Sequence, residues 1–395
     1  MFVFNQIFGQ GQSMNTPYVQ EITTKTGSMY ASISRTISPG GLFFLLMVVA
    51  VLCYLFVAHY TLYDNKKKSV NTVDVVRQLQ SIKEEHQEYP LRNFYIKTAL
   101  NCCCLGEWKN NYVDMVALEH VIAQGYRCLD FEVYSLNDTP IVGASSQPKN
   151  FYHTETFNHL DFMEVCKQIN QRAFSVAPNY NDPLLISLRI KSKNRNKEFI
   201  QHIIECIKTF GDRLLAPEYN YEFGGQNLGM IPVKNFMGKV IIMVDVSNPT
   251  VKSGCTEKPE FSTNCLHQYI NIGSTSPFMH VLDFTLQVKN ASMNELIEHN
   301  KKNMSIVFPD SPFETNVNFH VAKIFGCQLI GMMALVEDNN LKKYNKVFLD
   351  ERCAFKLKPA ELCYQPVVIE TPDPQNPELS FATRNYKTDY ANWKA

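Results

Sequence analysis

The chain has 395 residues, with 38 basic and 38 acidic side chains, a formal net charge of +0 and a pI near 7.1. That balance removes the electrostatic case for nucleic acid as a partner. Hydrophobic residues make up 45% of the chain, ordinary for a globular protein, and the length admits one large domain or two smaller ones.

Residues 1–40 are rich in Gln, Ser, Thr and Gly and read as a polar segment that is flexible or ordered by a partner. The stretch GGLFFLLMVVAVLCYLFVAHY, residues 40–60, breaks the ordinary composition, because no residue from Leu42 to Ala58 is charged. It approaches the ~20 apolar residues a helix needs to cross a bilayer. It shows no amphipathic stripe, and the segment before it is too long for the basic start of a signal peptide. A transmembrane helix is predicted over 41–59. Lys66, Lys67, Lys68 and Arg77 follow it, whereas only Lys25 and Arg35 precede it nearby. The positive-inside rule then places the C-terminal part on the cytosolic side. Residues 60–89 read as a juxtamembrane linker, with a short exposed helix in VRQLQSIKEEHQEY.

From Pro90 strands and helices alternate. FYIKTAL reads as a strand, NNYVDMVALEHVIAQG as a helix closed by Gly125, and YRCLDFEVYS as a strand. DFMEVCKQINQRAF and NKEFIQHIIECIKTFGDRLL read as helices flanking the strand PLLISLRI, and GKVIIMVDV as a further strand. A polar connector with Cys and Pro spans 247–275. FMHVLDF, the helix MNELIEHNKKN, MSIVFP, HVAKIFGCQLIGMMAL and CAFKLKP complete the series. Such alternation argues for a parallel sheet covered by helices, and about 270 residues suits an α/β fold of the TIM-type (β/α) barrel class. The tail 361–395, with PVVIETPDPQNPELS and the aromatics Tyr386, Tyr390 and Trp393, reads as extended and suited to docking on a partner.

The twelve cysteines include Cys53 in the span and the run Cys102, Cys103, Cys104. No metal-ligand spacing appears, so reduced thiols in a cytosolic domain are expected. Three glycosylation triplets, at Asn137, Asn290 and Asn303, would matter only in a lumenal domain.

Asp130 and Glu132 alternate with apolar residues in GYRCLDFEVYS. Period-2 alternation puts both carboxylates on one face of a buried strand. Two like charges side by side there are costly unless a metal, a cation or a substrate lies between them.

The order PLRNFYIKTALN, GYRCLDFEVY, PLLISLRI, FGDRLL and MGKVIIMV resembles the X half of phosphoinositide-specific phospholipase C. The later NKKNMSIVFP, GCQLIGMMAL and CAFKLKP are similar to its Y half. This implies a distorted barrel of the phospholipase C-like phosphodiesterase type, with X-like residues 90–246 and Y-like residues 276–360 on either side of the connector. It also implies acid/base cleavage of a phosphoinositide headgroup by two histidines, with calcium held by an Asn and three carboxylates.

Carried over residue by residue, that machinery is degenerate here. The ligand Asn stands as Asn101, but Leu100 occupies the place of the first His. The family's Glu-x-Asp is present in swapped order as Asp130 and Glu132. Arg189 stands where the next strand should supply the remaining carboxylate. A guanidinium can bridge two carboxylates without any metal, and the same charge repels calcium. The second His falls on Ala144 by one alignment and near His153 by another. Met243 and Asp245 take the places of substrate-gripping lysines, and Ile306 and Phe308 those of an Arg-x-Tyr pair.

The expected protein is therefore a membrane-anchored, catalytically inactive relative acting as a structural or interaction module. No cofactor is expected, and its partners are the membrane, through 41–59, and other proteins. The alternatives are a divergent, calcium-assisted phosphodiesterase using Asn101, Asp130, Glu132 and His153, or headgroup binding without turnover. The resemblance extends to phospholipase C-like proteins of large DNA viruses, which implies a virion membrane protein with capsid proteins as partners.

Overall fold

Apolar runs such as LLISLRI and VIIMV have no solvent-facing alternation, as befits strands buried on both faces. They become the staves of a barrel in a computed structural model describing residues 39–72, 78–147, 153–192, 196–252, 255, 265–290, 292–309, 315–366 and 381–394. The strands are β1 (Phe94–Ala99), β2 (Cys128–Leu136), β3 (Thr139–Gly143), β4 (Leu160–Asp161), β5 (Leu184–Lys191) and β6 (Val240–Val244). They continue with β7 (Ile272–Gly273), β8 (Met279–Asp283), β9 (Met304–Phe308), β10 (Leu329–Met332) and β11 (Phe355–Leu357). Eight of them lie in the order β7–β6–β5–β2–β1–β10–β9–β8, each neighbouring pair parallel. Among the described residues nothing pairs β7 with β8, so the barrel is nearly closed with a seam there. β3 returns antiparallel on β2, and β11 pairs antiparallel with β1. This is the expected distorted (β/α) barrel.

Helices α1 (Pro39–Thr72), α2 (Met115–Ala123), α3 (Phe162–Arg172), α4 (Lys197–Lys208), α5 (Met293–Lys302), α6 (Phe319–Ile324) and α7 (Asn339–Glu351) accompany the strands. Several start where an Asp or Asn can accept an orphan N–H. Asp114 caps Val116, Asp161 caps Glu164, and Asp338 caps Leu341. α4 shows how covering helices hold on: Phe199, Ile200, Ile203, Ile204 and Ile207 form one buried stripe at helical spacing. Gly125 ends α2 with φ +73°, and a Cβ there would lie 2.8 Å from Leu79 Cδ1.

α1 is long and apolar enough to cross a membrane, and every residue from Leu42 to Val57 is exposed. It continues as one helix well past the expected boundary at 59. The short exposed helix expected in VRQLQSIKEEHQEY is the single turn Glu84–Gln87, with no buried residue, while Leu79 and Ile82 before it are buried. Gln80 N bonds Arg352 O, and Ile82 N donates to Asp182 Oδ1, so this segment is pinned to the barrel.

α7 was not anticipated, because NNLKKYNKVFLDE buries only Leu341, Tyr344 and Phe348. The expectation of reduced thiols fails at one pair, since Cys255 and Cys265 are disulfide-bonded while seven of the other cysteines are buried as free thiols. In the tail, 385–394 is a hairpin rather than an extended strand, with Tyr386 stacked on Trp393 at 5.4 Å. Residues 1–38 and 367–380 lie outside the described residues.

Candidate functional site

Strand register builds the site. β2 and β5 run parallel with Asp130 beside Ser187, Glu132 beside Arg189, and Tyr134 beside Lys191. Alternation sends these six side chains to one face. Both acids are fully buried, so their charge must be met by the protein.

Arg189 meets it. Its Nε donates to both Asp130 oxygens at 3.1 Å, and Nη2 donates to Asp130 Oδ2 at 2.5 Å. Nη1 donates to Glu132 Oε1 at 2.5 Å, and Nη2 also reaches Asn101 Oδ1 at 3.0 Å. The other donors come from neighbours. Ser187 Oγ donates to Asp130 Oδ1 at 2.9 Å; Tyr134 Oη and Ser145 N donate to Glu132 Oε2 at 2.6 and 2.9 Å. Lys191 Nζ stands 3.8 Å from Glu132 Oε1. Every carboxylate oxygen thus accepts at least one hydrogen bond from the chain.

Burial works against the charge on Arg189, yet Asp130 and Glu132 outweigh it and hold the guanidinium pKa above its ordinary value. Burial pulls the Lys191 ammonium below its usual range, with Glu132 opposing. Burial and Glu132 push the Tyr134 phenol up, keeping it a donor. The Arg189 side chain is 19% exposed, and its guanidinium lies 4.9 Å from the Phe308 ring and 5.8 Å from the Trp108 ring.

Asn101, Asp130, Glu132, Arg189 and Phe308 are therefore brought together. Leu100 lies beside them, buried against Gly331 of β10, where a Cβ would come within 2.5 Å of its Cγ. Ala144 is buried at the end of β3, with its carbonyl accepting from Glu155 N. His153 is exposed on the loop beyond 152, in contrast to the buried acids. Met243 and Ile306 are core residues of β6 and β9. Asp245 folds into a turn, accepting from Ser247 N, Ser247 Oγ and Thr275 Oγ1. Sequence reasoning passed over Tyr134 and Lys191, although both stand two residues beyond Glu132 and Arg189 on the same strands. Trp108 and Ser145 come from loops and carried no periodic signal.

The implied calcium site asks for an Asn and three carboxylates. The residues present do not fit it. Two carboxylates remain, their oxygens are hydrogen-bonded, and a fixed positive charge occupies the space between them. Among the described residues no group of three or more His, Cys, Asp or Glu is placed to hold a metal ion. The adjacent thiols of Cys102, Cys103 and Cys104 are buried, which pushes their pKa values up and keeps them protonated.

Residues 87–245 match the family model for the X domain of phosphatidylinositol-specific phospholipase C. Among solved structures, PLC21 of S. officinalis is similar at 16% identity over 69% of this chain and 37% of that one, with a TM-score of 0.53. PLC21 of L. pealei is similar at 15% identity over 69% and 38%, with a TM-score of 0.52. A calcium-dependent phosphoinositol-specific phospholipase C of a Pseudomonas species matches at 9% identity over 66% and 96%, with a TM-score of 0.40. This chain thus spans well under half the length of either PLC21. No curated protein matches its sequence. Residues 87–245 thus match the X domain of phosphatidylinositol-specific phospholipase C, and the chain shares its barrel fold with the two PLC21 structures.

Proposed function

We propose that this is a membrane-anchored phospholipase C-like protein that does not cleave phosphoinositide and serves as a structural or interaction module at a membrane. The observation carrying the reading is the seating of Arg189 between Asp130 and Glu132. Phosphoryl chemistry of this kind needs positive charge aimed at the developing phosphate charge, but the Arg189 charge is committed to two carboxylates. No imidazole stands in place of Leu100, and α1 supplies membrane residence.

The test is to incubate the full chain with phosphatidylinositol vesicles, with and without calcium. Inositol phosphate stays at the level of protein-free vesicles; calcium-dependent release overturns the reading. Lys66, Lys67 and Lys68 support a barrel on the cytosolic face, while the Cys255–Cys265 bond favours an oxidising compartment. Protease protection in sealed vesicles separates the two. Residence in an internal virion membrane, with capsid proteins as partners, rests on the resemblance alone, and absence of the protein from purified particles refutes it.

A further inference from the structure

We infer that the stacked imidazoles of His280 and His299 form an acid-sensitive latch on the seam of the barrel, closing a cavity there while neutral and releasing it when protonated. β8 is the strand that needs such a device. It pairs with β9 on one side, and among the described residues no strand pairs with its other edge.

His280 on β8 and His299 on α5 lie face to face, with centroids 3.7 Å apart and planes 13° from parallel. The partners of His299 fix its protonation state. A carbonyl can only accept, so Nε2 carries a proton and donates to Met304 O at 3.3 Å. Asn303 turns its amide nitrogen toward Nδ1, 3.4 Å away, because its Oδ1 already accepts from Asn227 Nδ2 at 3.0 Å. Nδ1 is therefore bare and the ring is neutral. A second proton sets N–H against N–H at Asn303 and, once His280 is charged too, cation against cation across the stack.

The same contacts lead from the rings to the cavity. Asn227 Nδ2 also donates to Lys302 O at 2.9 Å, and its Oδ1 accepts from Gly229 N at 2.9 Å. Asn227, Leu228, Gly229 and Met304 line one wall of a cavity of about 400 Å³, facing His267 and Ile272 on the β7 side of the seam. Losing the Asn303 anchor frees that wall.

No neighbouring charge offsets the protons. Burial lowers the His280 pKa from the ordinary 6.5; burial and His280 together lower that of His299, with the Met304 carbonyl opposing. α5 itself carries Glu295, Glu298, Lys301 and Lys302, of which Glu298 is paired with Lys301 at 2.8 Å. Asp283 ends β8, and β9 carries no titratable group. On the turns packed against α5, Arg92 donates to Lys302 O and Glu361 is exposed, while Lys358 donates to Asn300 O. None of these charges moves either imidazole. Across the cavity His267 faces Glu222 at 2.8 Å, so a proton there adds attraction rather than repulsion. The closed latch thus binds protons less readily than the open one. It holds fully above about pH 6.5 and weakens as pH falls below that value.

The test follows amide hydrogen exchange of the detergent-solubilised full chain at pH 7.5 and 5, corrected for the intrinsic pH dependence of exchange. At pH 5 opening of segments 226–230 and 279–283 rises about tenfold or more, while β5 changes less than twofold. A double variant, His280→Phe with His299→Gln, keeps a ring and an amide but no titrating group, and its seam exchanges alike at both pH values. Asp182 and Lys97, whose pKa values burial moves to about 6 and about 7, are present in both proteins and cannot produce the difference. Equal seam protection of the parent at both pH values overturns the inference whether or not the variant folds, as does opening shared equally by β5. A folded variant that opens in acid as the parent does overturns it too.

Discussion

Replacing Arg189 with Met tests the ion-pair account at its centre. Met keeps an unbranched apolar stem of similar reach and removes every guanidinium hydrogen bond to Asp130, Glu132 and Asn101. Each carboxylate keeps a neutral donor, from Ser187, Tyr134 or Ser145, but loses the charge that offset its desolvation. Breaking one side of a buried ion pair costs about 3–5 kcal/mol. In a domain of this size, at roughly 2–4 °C per kcal/mol, Tm falls by about 10 °C at pH 7. Calcium adds a second axis. Millimolar calcium leaves the parent Tm unchanged, while Arg189→Asp restores a third carboxylate and gains about 2–3 kcal/mol once calcium exceeds its Kd a hundredfold. Differential scanning fluorimetry of the detergent-solubilised full chain reads both. A parent protein stabilised by calcium, or an Arg189→Met variant melting with the parent at pH 7, refutes the reasoning.

Three further outcomes follow from single side chains. Lys97 is buried, with Nζ donating to Gln124 O and lying over the Tyr126 ring, and desolvation drops its pKa to about 7. Between about pH 7 and 10 the unfolded chain holds a proton that the folded chain has released, so stability rises with pH by up to about 1.4 kcal/mol per unit. Lys97→Met flattens that slope in denaturant titrations at pH 7, 8 and 9. Asp114 caps α2 through Oδ1 and receives Lys67 and Tyr63 through Oδ2. Asp114→Ala loses both roles and costs about 2 kcal/mol, whereas Asp114→Asn keeps the cap and costs under about 1 kcal/mol, read by thermal melts. Asn137 and Asp138 form the left-handed tip of the β2–β3 hairpin, with Asn137 exposed. Expressed in a eukaryotic cell, a cytosolic barrel carries no glycan at Asn137; an amidase-sensitive mass shift that Asn137→Gln abolishes places it in the lumen.

The barrel and the heart of its site were legible in the sequence because both follow from period. Continuous apolar runs announced buried parallel strands, and alternation put Asp130 and Glu132 on one face. The same rule extended by two residues reaches Tyr134 and Lys191, so their omission was a failure of reading rather than of signal. Trp108 differs: it sits in a loop where no repeat constrains side-chain direction, and only the fold brings it over Arg189. The Cys255–Cys265 bond was illegible because pairing depends on a Cα separation, here 4.6 Å, that spacing along the chain does not determine. His59 closes the predicted span and Tyr63 falls in the predicted linker, where nothing marks their partners on a segment some fifty residues away.

These differences bear on why the acids persist at all. Two carboxylates on adjacent pleats of β2 pose one electrostatic problem, and a divalent cation or a guanidinium can answer it. A metal answers it reversibly, leaving exposed coordination positions for a substrate. Arg189 answers it permanently, because the register that places it beside Glu132 is fixed by the same strand pairing that closes the barrel. Each charge pair is worth roughly 4 kcal/mol at ~4 Å and an effective dielectric of about 20, before desolvation. The fold thereby holds its buried acids without depending on a metal supply, and the cation that stabilises them is unavailable to a phosphate. If the proposed reading holds, stability and the want of phosphoryl chemistry at this site are one property of one side chain, and Arg189→Asp loses stability in metal-free buffer before any calcium binding can offset it.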